Sequence, residues 1–401
     1  MEETADQPPP DRQRREDPAR QSVARLGEVS LLFLRLGFTA FGGPAAHIAM
    51  MRREMVERRA WVSDQYFLDM LGATYLIPGP NSTELAIHLG FVRGGWKGLL
   101  AAGTAFILPA MLIVLSLAWL YVEYGTTTQA GWLLYGVKPV IIAILLQATL
   151  GLGKGQVRRP LLLAVGAGVF GLYLAHFNEI VLLLGSGVLV ALYQNGRRLG
   201  RHMMPAFVFT LPVALPPLVL ASSKSSHFSL WTLFLTFLKI GAVLYGSGYV
   251  LLAFLRTDFV ERLGWLTNQQ LVDAVAVGQF TPGPVFTTAT FIGYLVGGFG
   301  GAIVATVAIF LPSFVFVAAI YPLVPRLRRS PVMSAFLDGV NVAALGLILA
   351  VTWQLAQTAI VDWLSAAMAV MALGILLRFR VNSAWLVAGG ALAGLVSRGG
   401  F

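Results

Sequence analysis

Two short stretches set helix-breaking residues directly ahead of amide and hydroxyl side chains: IPGPNSTE at 77–84 and TPGPVFTT at 281–288. A proline at the first position of a helix has no N–H to lose. The amides that follow it lack acceptors within the helix and sit at the positive end of its dipole. Such an end binds anions. Gly79, Pro80, Asn81, Ser82 and Thr83 in the first stretch, with Gly283, Pro284 and Thr287 in the second, are therefore candidate anion contacts. FGGPAAH at 41–47 adds Gly42, Gly43 and Pro44. At the fourth comparable place, YGSGYV, Gly248 stands where a proline is expected. The plainer alternative is a proline kink in a packed helix, which membrane helices tolerate.

Charged residues inside apolar sequence are the next group with chemistry to offer. Arg35 and Lys239 lie one turn or more before the glycines Gly42 and Gly246. An intramembrane cation costs about 2.5–3.5 kcal/mol on insertion scales. Both are expected to face the interior as counter-charges for an anion, unless they snorkel to the interface. Lys138 is a third positive group, with a loop-edge role as its alternative. Glu84, Asp69, Asp273 and His47 are the proton-coupling candidates, Glu84 because it stands four residues past Pro80. His47 and His88 otherwise read as packing or capping residues, because no second ligand stands at metal spacing. No metal and no cofactor is expected. No HExxH, Walker loop or nucleophile elbow occurs, and none of these features points to an enzyme.

The elements that must position these groups follow from composition. Of 401 residues, 57% are hydrophobic and 12% charged, with no cysteine, and mean hydropathy is +0.73. A soluble domain carries about 25% charged residues, so the chain reads as an all-α, polytopic membrane protein. The net charge of +10 sits in short clusters between apolar runs, where it orients helices against the bilayer. It does not indicate nucleic-acid binding. Candidate membrane segments, roughly 10–13 of them at about 20 residues per span, are 28–51, 64–93, 99–121, 131–150, 160–177, 179–195, 204–221, 230–255, 267–297, 300–324, 334–353, 361–377 and 383–397. The charged, proline-rich residues 1–25 read as a disordered tail.

Sliding 31–84 onto 235–288 needs no gap. It superposes Arg52 on Arg256, Glu57 on Glu261, Arg58 on Arg262, Trp61 on Trp265, Asp69 on Asp273 and both Pro-Gly-Pro triplets. After a one-residue slip, FILP at 106–109 meets IFLP at 309–312, and Lys138 meets Asn341. The chain is a duplication: a first repeat over 26–202, a connecting segment with a membrane helix over 203–229, and a second repeat over 230–401. Residues 121–130 are net acidic and their partners 324–333 net basic, whereas 151–160 are basic and 354–363 acidic. That exchange predicts an inverted repeat. RREMVERR at 52–59 falls on the wrong side in this count, unless the break at Gly42–Pro44 turns the first segment back.

Inverted repeats with interrupted helices describe many secondary transporters, whose sites lie at the breaks. The motifs FGGPAAHI, the run from ERRAWVSDQYF to IPGPNSTELAIHLGF, and the run from ERLGWLTNQQL to TPGPVFTTATFIGYL resemble the chromate ion transporter family in its long, two-domain form. The likeness covers nearly everything after about residue 28. It implies export of chromate, a sulfate-like dianion, across a bacterial cytoplasmic membrane, with chromate resistance as the result. It also implies that the FGGP and PGP motifs fall at Phe41–Pro44, Pro78–Pro80 and Pro282–Pro284. Sulfate is a competing substrate, a passive anion channel is the alternative from another class, and a homodimer is left open.

Overall fold

The computed structural model describes residues 18–41, 43–125, 127–153, 159–195, 228–245, 248–320, 331–379 and 381–399. These residues are helical, with no strand among them. In the first repeat α1 (Pro18–Thr39) is followed by α2 (Gly43–Arg52), which runs on as a π-helical turn, Arg53–Arg58. Next come α3 (Asp64–Thr74), α4 (Asn81–Tyr124), α5 (Thr128–Gly153), α6 (Pro160–Leu174) and α7 (Glu179–Asn195). The second repeat restates them as α8 (Leu230–Val243), α9 (Leu251–Leu255), α10 (Asn268–Phe280), α11 (Thr288–Ile320), α12 (Pro331–Ala359), α13 (Trp363–Arg378) and α14 (Ser383–Gly399). Even the π-helical turn recurs, at Arg256–Arg262. Residues Pro18 to Arg25 belong to α1, so the expected tail gives way to helix before residue 25. Gly42, Gly246 and nearly all of the connecting segment 203–229 lie outside the described residues.

The broken segments are hairpins. Glu28, at the middle of α1, receives Arg59 at 2.7 Å and Arg93 at 2.9 Å. These three residues therefore share one end of the molecule. The chain enters on α1, turns at the FGGP break and returns along α2. It enters again on α3, turns at Pro-Gly-Pro and returns along the first arm of α4. With 11 residues, α3 reaches about 16 Å at 1.5 Å per residue, well short of a hydrocarbon core of about 30 Å. At Gly95 (φ 60°, ψ −149°) α4 folds back on itself, in a region of backbone space that is essentially glycine-only. A Cβ on Gly90 would strike Gly98 and Ala102 across that fold. Gly298 does the same in α11, where the Thr290 and Thr306 hydroxyls bond across the fold at 2.7 Å. The feet of the second repeat are aromatic: Phe228 meets Trp265 edge-on at 5.3 Å, and a Cβ on Gly297 would run into Phe228.

This corrects the expected crossings at 28–51 and 64–93. It also removes the conflict over RREMVERR, which now lies at the same end as 151–160, since the second arm of α4 crosses and α5 returns. Tyr121, about 40 Å along α4 from Gly95 at helical rise, donates to Asp273 near the start of α10 at 2.9 Å. The feet of the two repeats thus stand at opposite ends of α4. The repeat is inverted.

The halves also interlock. Each repeat's fifth helix packs on the last two helices of the other: α5 against α13 and α14, α12 against α6 and α7. Matched glycines allow it, with Gly136 against Gly390 and Gly394, and Gly339 against Ser186 and Gly187. Among the described residues four helical stretches, 81–124, 128–153, 285–319 and 331–359, are long and apolar enough to cross a membrane by themselves. Leu189, Val307 and Leu392 are among the large apolar side chains left exposed, as a lipid-facing surface requires.

Candidate functional site

The three proline breaks and the glycine that replaces the fourth meet at one place. Pro44, Pro80, Gly248 and Pro284 all line a cavity of about 480 Å³. Each is the repeat counterpart of another, 44 of 248 and 80 of 284, so the cavity lies where the two pseudo-equivalent halves face each other. Its wall includes Asn81 and Ser82 from α4, Val285 and Phe286 from the turn before α11, Gln147 from α5 and Asn341 from α12. The main-chain ladder of α4 starts with the Thr83 and Glu84 amides on the Pro80 carbonyl, at 2.8 and 3.1 Å. Asn81 and Ser82 thus supply the first-turn amides that stand ahead of the ladder. On the other side Thr287 N–H closes on the Pro284 carbonyl at 3.0 Å, with Val285 and Phe286 ahead of it.

A second contact holds these breaks in position. Gly79 N–H donates to the Leu244 carbonyl at 2.8 Å, and Gly283 N–H donates to the Ala40 carbonyl at 3.0 Å. Leu244 is the repeat counterpart of Ala40. Each Pro-Gly-Pro turn is therefore latched by its central amide to the first break of the other half. Gly79 (φ 138°) and Gly283 (φ 91°) hold backbone conformations that a side chain disfavours. Neither glycine lines the cavity. Expected as anion contacts, both are seen here joining the halves through their amides. Thr287 turns its hydroxyl to the Pro284 carbonyl at 2.8 Å, and Thr83 is fully buried, so both stand behind the wall. Gly43 (φ 75°) starts α2 beside Pro44.

No arginine or lysine is among the described residues that line the cavity, and the two expected counter-charges stand away from it. Lys239 bonds to Asp258 within 2.6 Å, and Arg262 holds the same carboxylate at 3.0 Å. Arg35 is exposed on α1. The difference has a local cause. Glu54, the counterpart of Asp258, takes Arg58 at 2.7 Å and Arg59 at 3.5 Å. Position 263, opposite Arg59, is leucine. Asp258 must therefore draw its second cation from α8, while Glu54 finds one next door and leaves Arg35 outside.

The proton candidates also separate. Asp273 is buried and engaged by Lys138 at 3.5 Å and by the Tyr121 hydroxyl. Asp69 accepts from Gln65 at 3.2 Å, near the foot of α3. His47 bridges the Ser82 hydroxyl at 3.2 Å and the Ala40 carbonyl at 3.0 Å, which ties the α2 break to the wall of the cavity. His88 is buried one turn beyond Glu84. Glu84 is fully buried with no cation beside it among the described residues. Sequence reasoning missed Ser313 of α11, which lies beside it. The signal was present in the repeat, where Ser313 stands opposite Ala110. No group of His, Asp or Glu among the described residues could hold a metal ion.

The model of the chromate transporter family matches twice, over residues 27–191 and 231–395. The chain belongs to the chromate transporter family. The two matched stretches have equal length and the displacement of the internal repeat. Among curated relatives, a chromate transport protein of Cupriavidus metallidurans is 37% identical over 93% of this chain and 93% of its own length. A probable chromate transport protein of Synechococcus elongatus is 36% identical over 80% of this chain and 82% of its own. A chromate transport protein of Pseudomonas aeruginosa is 32% identical over 86% and 84%. No solved structure matches the chain. This is a family of membrane transporters, and the cavity lies where transporters of interrupted-helix design hold their substrates.

Proposed function

We propose that the chain is a secondary transporter that exports chromate across the cytoplasmic membrane and thereby confers chromate resistance. The observation that carries this reading is the meeting of four repeat-equivalent helix starts on one cavity, with no lysine or arginine among the described residues of its wall. Each start contributes about half a positive charge, so together they balance a dianion to order of magnitude. A field made of main-chain dipoles moves with the helices and leaves no fixed cation to trap the ion. With water occupying about 30 Å³ per molecule, the cavity of about 480 Å³ takes a partly hydrated tetrahedral oxyanion. Export follows from charge. An inside-negative potential drives each anionic charge outward by about 2.3 kcal/mol per 100 mV.

Donor walls of this kind read shape and charge, which chromate and sulfate share, so sulfate competes for the same site. The test is radiolabelled chromate flux in proteoliposomes under imposed voltage. Saturable flux that unlabelled chromate on the trans side accelerates is the expected result, with inhibition by excess sulfate. Flux with neither saturation nor trans-acceleration would mean a channel, and absence of chromate movement in well-folded protein would end the proposal. Ser82→Ala, which removes a hydroxyl from the wall and the His47 tether, should weaken chromate binding by roughly tenfold, the equivalent of one hydrogen bond.

A further inference from the structure

Glu84 is the one carboxyl among the proton candidates that is fully buried and, among the described residues, has no cationic partner. It lies in the first turn of α4, the same turn whose leading residues Asn81 and Ser82 line the cavity. A Cβ built on Gly79 would collide with Glu84 Oε1 and lie 2.8 Å from Ser313 Oγ. The carboxyl group and the hydroxyl of α11 therefore meet behind the latched Pro-Gly-Pro turn. Ser313 is itself fully buried, and its hydroxyl is the side-chain group that reaches the carboxyl. The other ionisable groups around it are the Tyr245 phenol from the break of the second half, His88 on the next turn of α4, and His47 through Ser82. Among the described residues no ion pair reaches Glu84.

The matching place in the other half is neutral. Gly283, Thr288 and Ala110 stand where Gly79, Glu84 and Ser313 stand here. Thr288 closes its hydroxyl on the Val285 carbonyl at 2.8 Å. The acid is thus an addition to one of two otherwise equivalent helix starts, and packing symmetry does not call for it.

We propose that Glu84 is a proton-binding site linked to the oxyanion cavity, so that one proton travels with each dianion. This rests on the chromate reading given above. The proton comes from solvent, joins a Glu84 carboxylate oxygen and leaves from it after the oxyanion is released. The ionised carboxylate occupies the positive end of α4 and repels the dianion that needs the same end. The protonated acid does neither, and offers an O–H toward Ser313. Linkage is reciprocal, so the oxyanion also favours the proton. Binding together means moving together. A dianion with one proton carries a net charge of −1, which an inside-negative potential still drives outward.

Two measurements on the full-length protein test this. The first is equilibrium binding of radiolabelled chromate across pH in wild type and Glu84→Gln. Wild-type affinity should fall by up to tenfold per pH unit on the alkaline side. Glu84→Gln should keep its affinity and lose that dependence. Protonation of chromate itself is common to both proteins and drops out of the comparison. The second is the voltage that balances a tenfold chromate gradient in proteoliposomes at equal pH. It should be about 59 mV for wild type, one net charge, and about 30 mV for Glu84→Gln, two charges. A balancing voltage near 30 mV for wild type, or parallel pH profiles, overturns the proposal. Sodium restoring wild-type affinity at alkaline pH also overturns it, since the site would then be a metal-cation site. Should Glu84→Gln not fold, the wild-type voltage decides alone. Binding with a flat pH profile leaves the chromate reading standing, whereas no chromate binding at any pH removes both.

Discussion

The ion pair between Lys138 of α5 and Asp273 of α10 joins the two repeats inside the protein, and its removal has a calculable effect. The charged atoms stand 3.5 Å apart, and the side chains are 13% and 1% exposed. With so little water to screen them, the Coulomb attraction at an effective dielectric near 20 is about 5 kcal/mol. Desolvation of both ions offsets much of that in the intact protein. A single replacement is a different matter. Lys138→Met leaves Asp273 buried with only the Tyr121 hydroxyl, and the loss of an ionic partner in such a setting costs roughly 3–5 kcal/mol. Asp273→Asn strands the lysine at similar cost. The double variant Lys138→Met/Asp273→Asn removes both charges and keeps an acceptor for Tyr121, so most of the loss should return. Reversible unfolding in mixed micelles, followed by denaturing detergent, gives all four stabilities. A coupling energy of at least about 2 kcal/mol is expected for neighbours in one network. Additive losses within about 0.5 kcal/mol would show that the two groups do not act on each other, and the inter-repeat role would fall.

Three further outcomes are expected. The chain lacks cysteine, so single cysteines placed at the exposed Arg53 and at Arg159 should be labelled from one side of the membrane, and those at Thr127 and Gln357 from the other. Labelling of Arg53 together with Thr127 would refute the hairpin topology. Gly79→Val should disrupt folding or flux more than Pro80→Ala, because the valine meets Glu84 and Ser313 at a φ of 138°, whereas alanine suits a helix start at a cost below about 1 kcal/mol. Equal flux in the two, at equal abundance, would disprove this. Arg35→Gln should leave chromate flux unchanged, while Lys239→Gln should destabilise the fold by about 1–3 kcal/mol through Asp258. The opposite order in thermal unfolding and flux would return Arg35 to the site.

The parts legible in the sequence were those that repeat. Proline and glycine at matched positions marked the helix starts, and the exchange of basic loops marked the inversion, because both depend on local chemistry. What could not be read was where a chain turns back. Segments 28–51 and 64–93 are apolar enough for either a crossing or a hairpin. The choice rests on Glu28 meeting Arg59 and Arg93, contacts distant in sequence. The same limit applied to the cations. Arg35 and Lys239 occupy equivalent positions, yet a leucine at 263 in place of an arginine at 59 sends one inward and leaves the other exposed. Gly79 and Gly283 were recognised as special, but the partners of their amides are carbonyl groups, and carbonyls carry no sequence signature.

Those two crossed main-chain bonds bear on how the protein comes to exist at all. A single repeat inserted alone would leave the Gly79 amide without the acceptor it has here, since Leu244 belongs to the other repeat. Folding is therefore complete only when two copies of the motif, inserted in opposite senses, have met. Cutting the gene within the connecting segment and expressing both pieces should still yield a working transporter. Either piece by itself should be degraded as an unfinished membrane protein. The duplication thus ensures, within one polypeptide, that each half is born beside the partner of opposite orientation that its backbone requires.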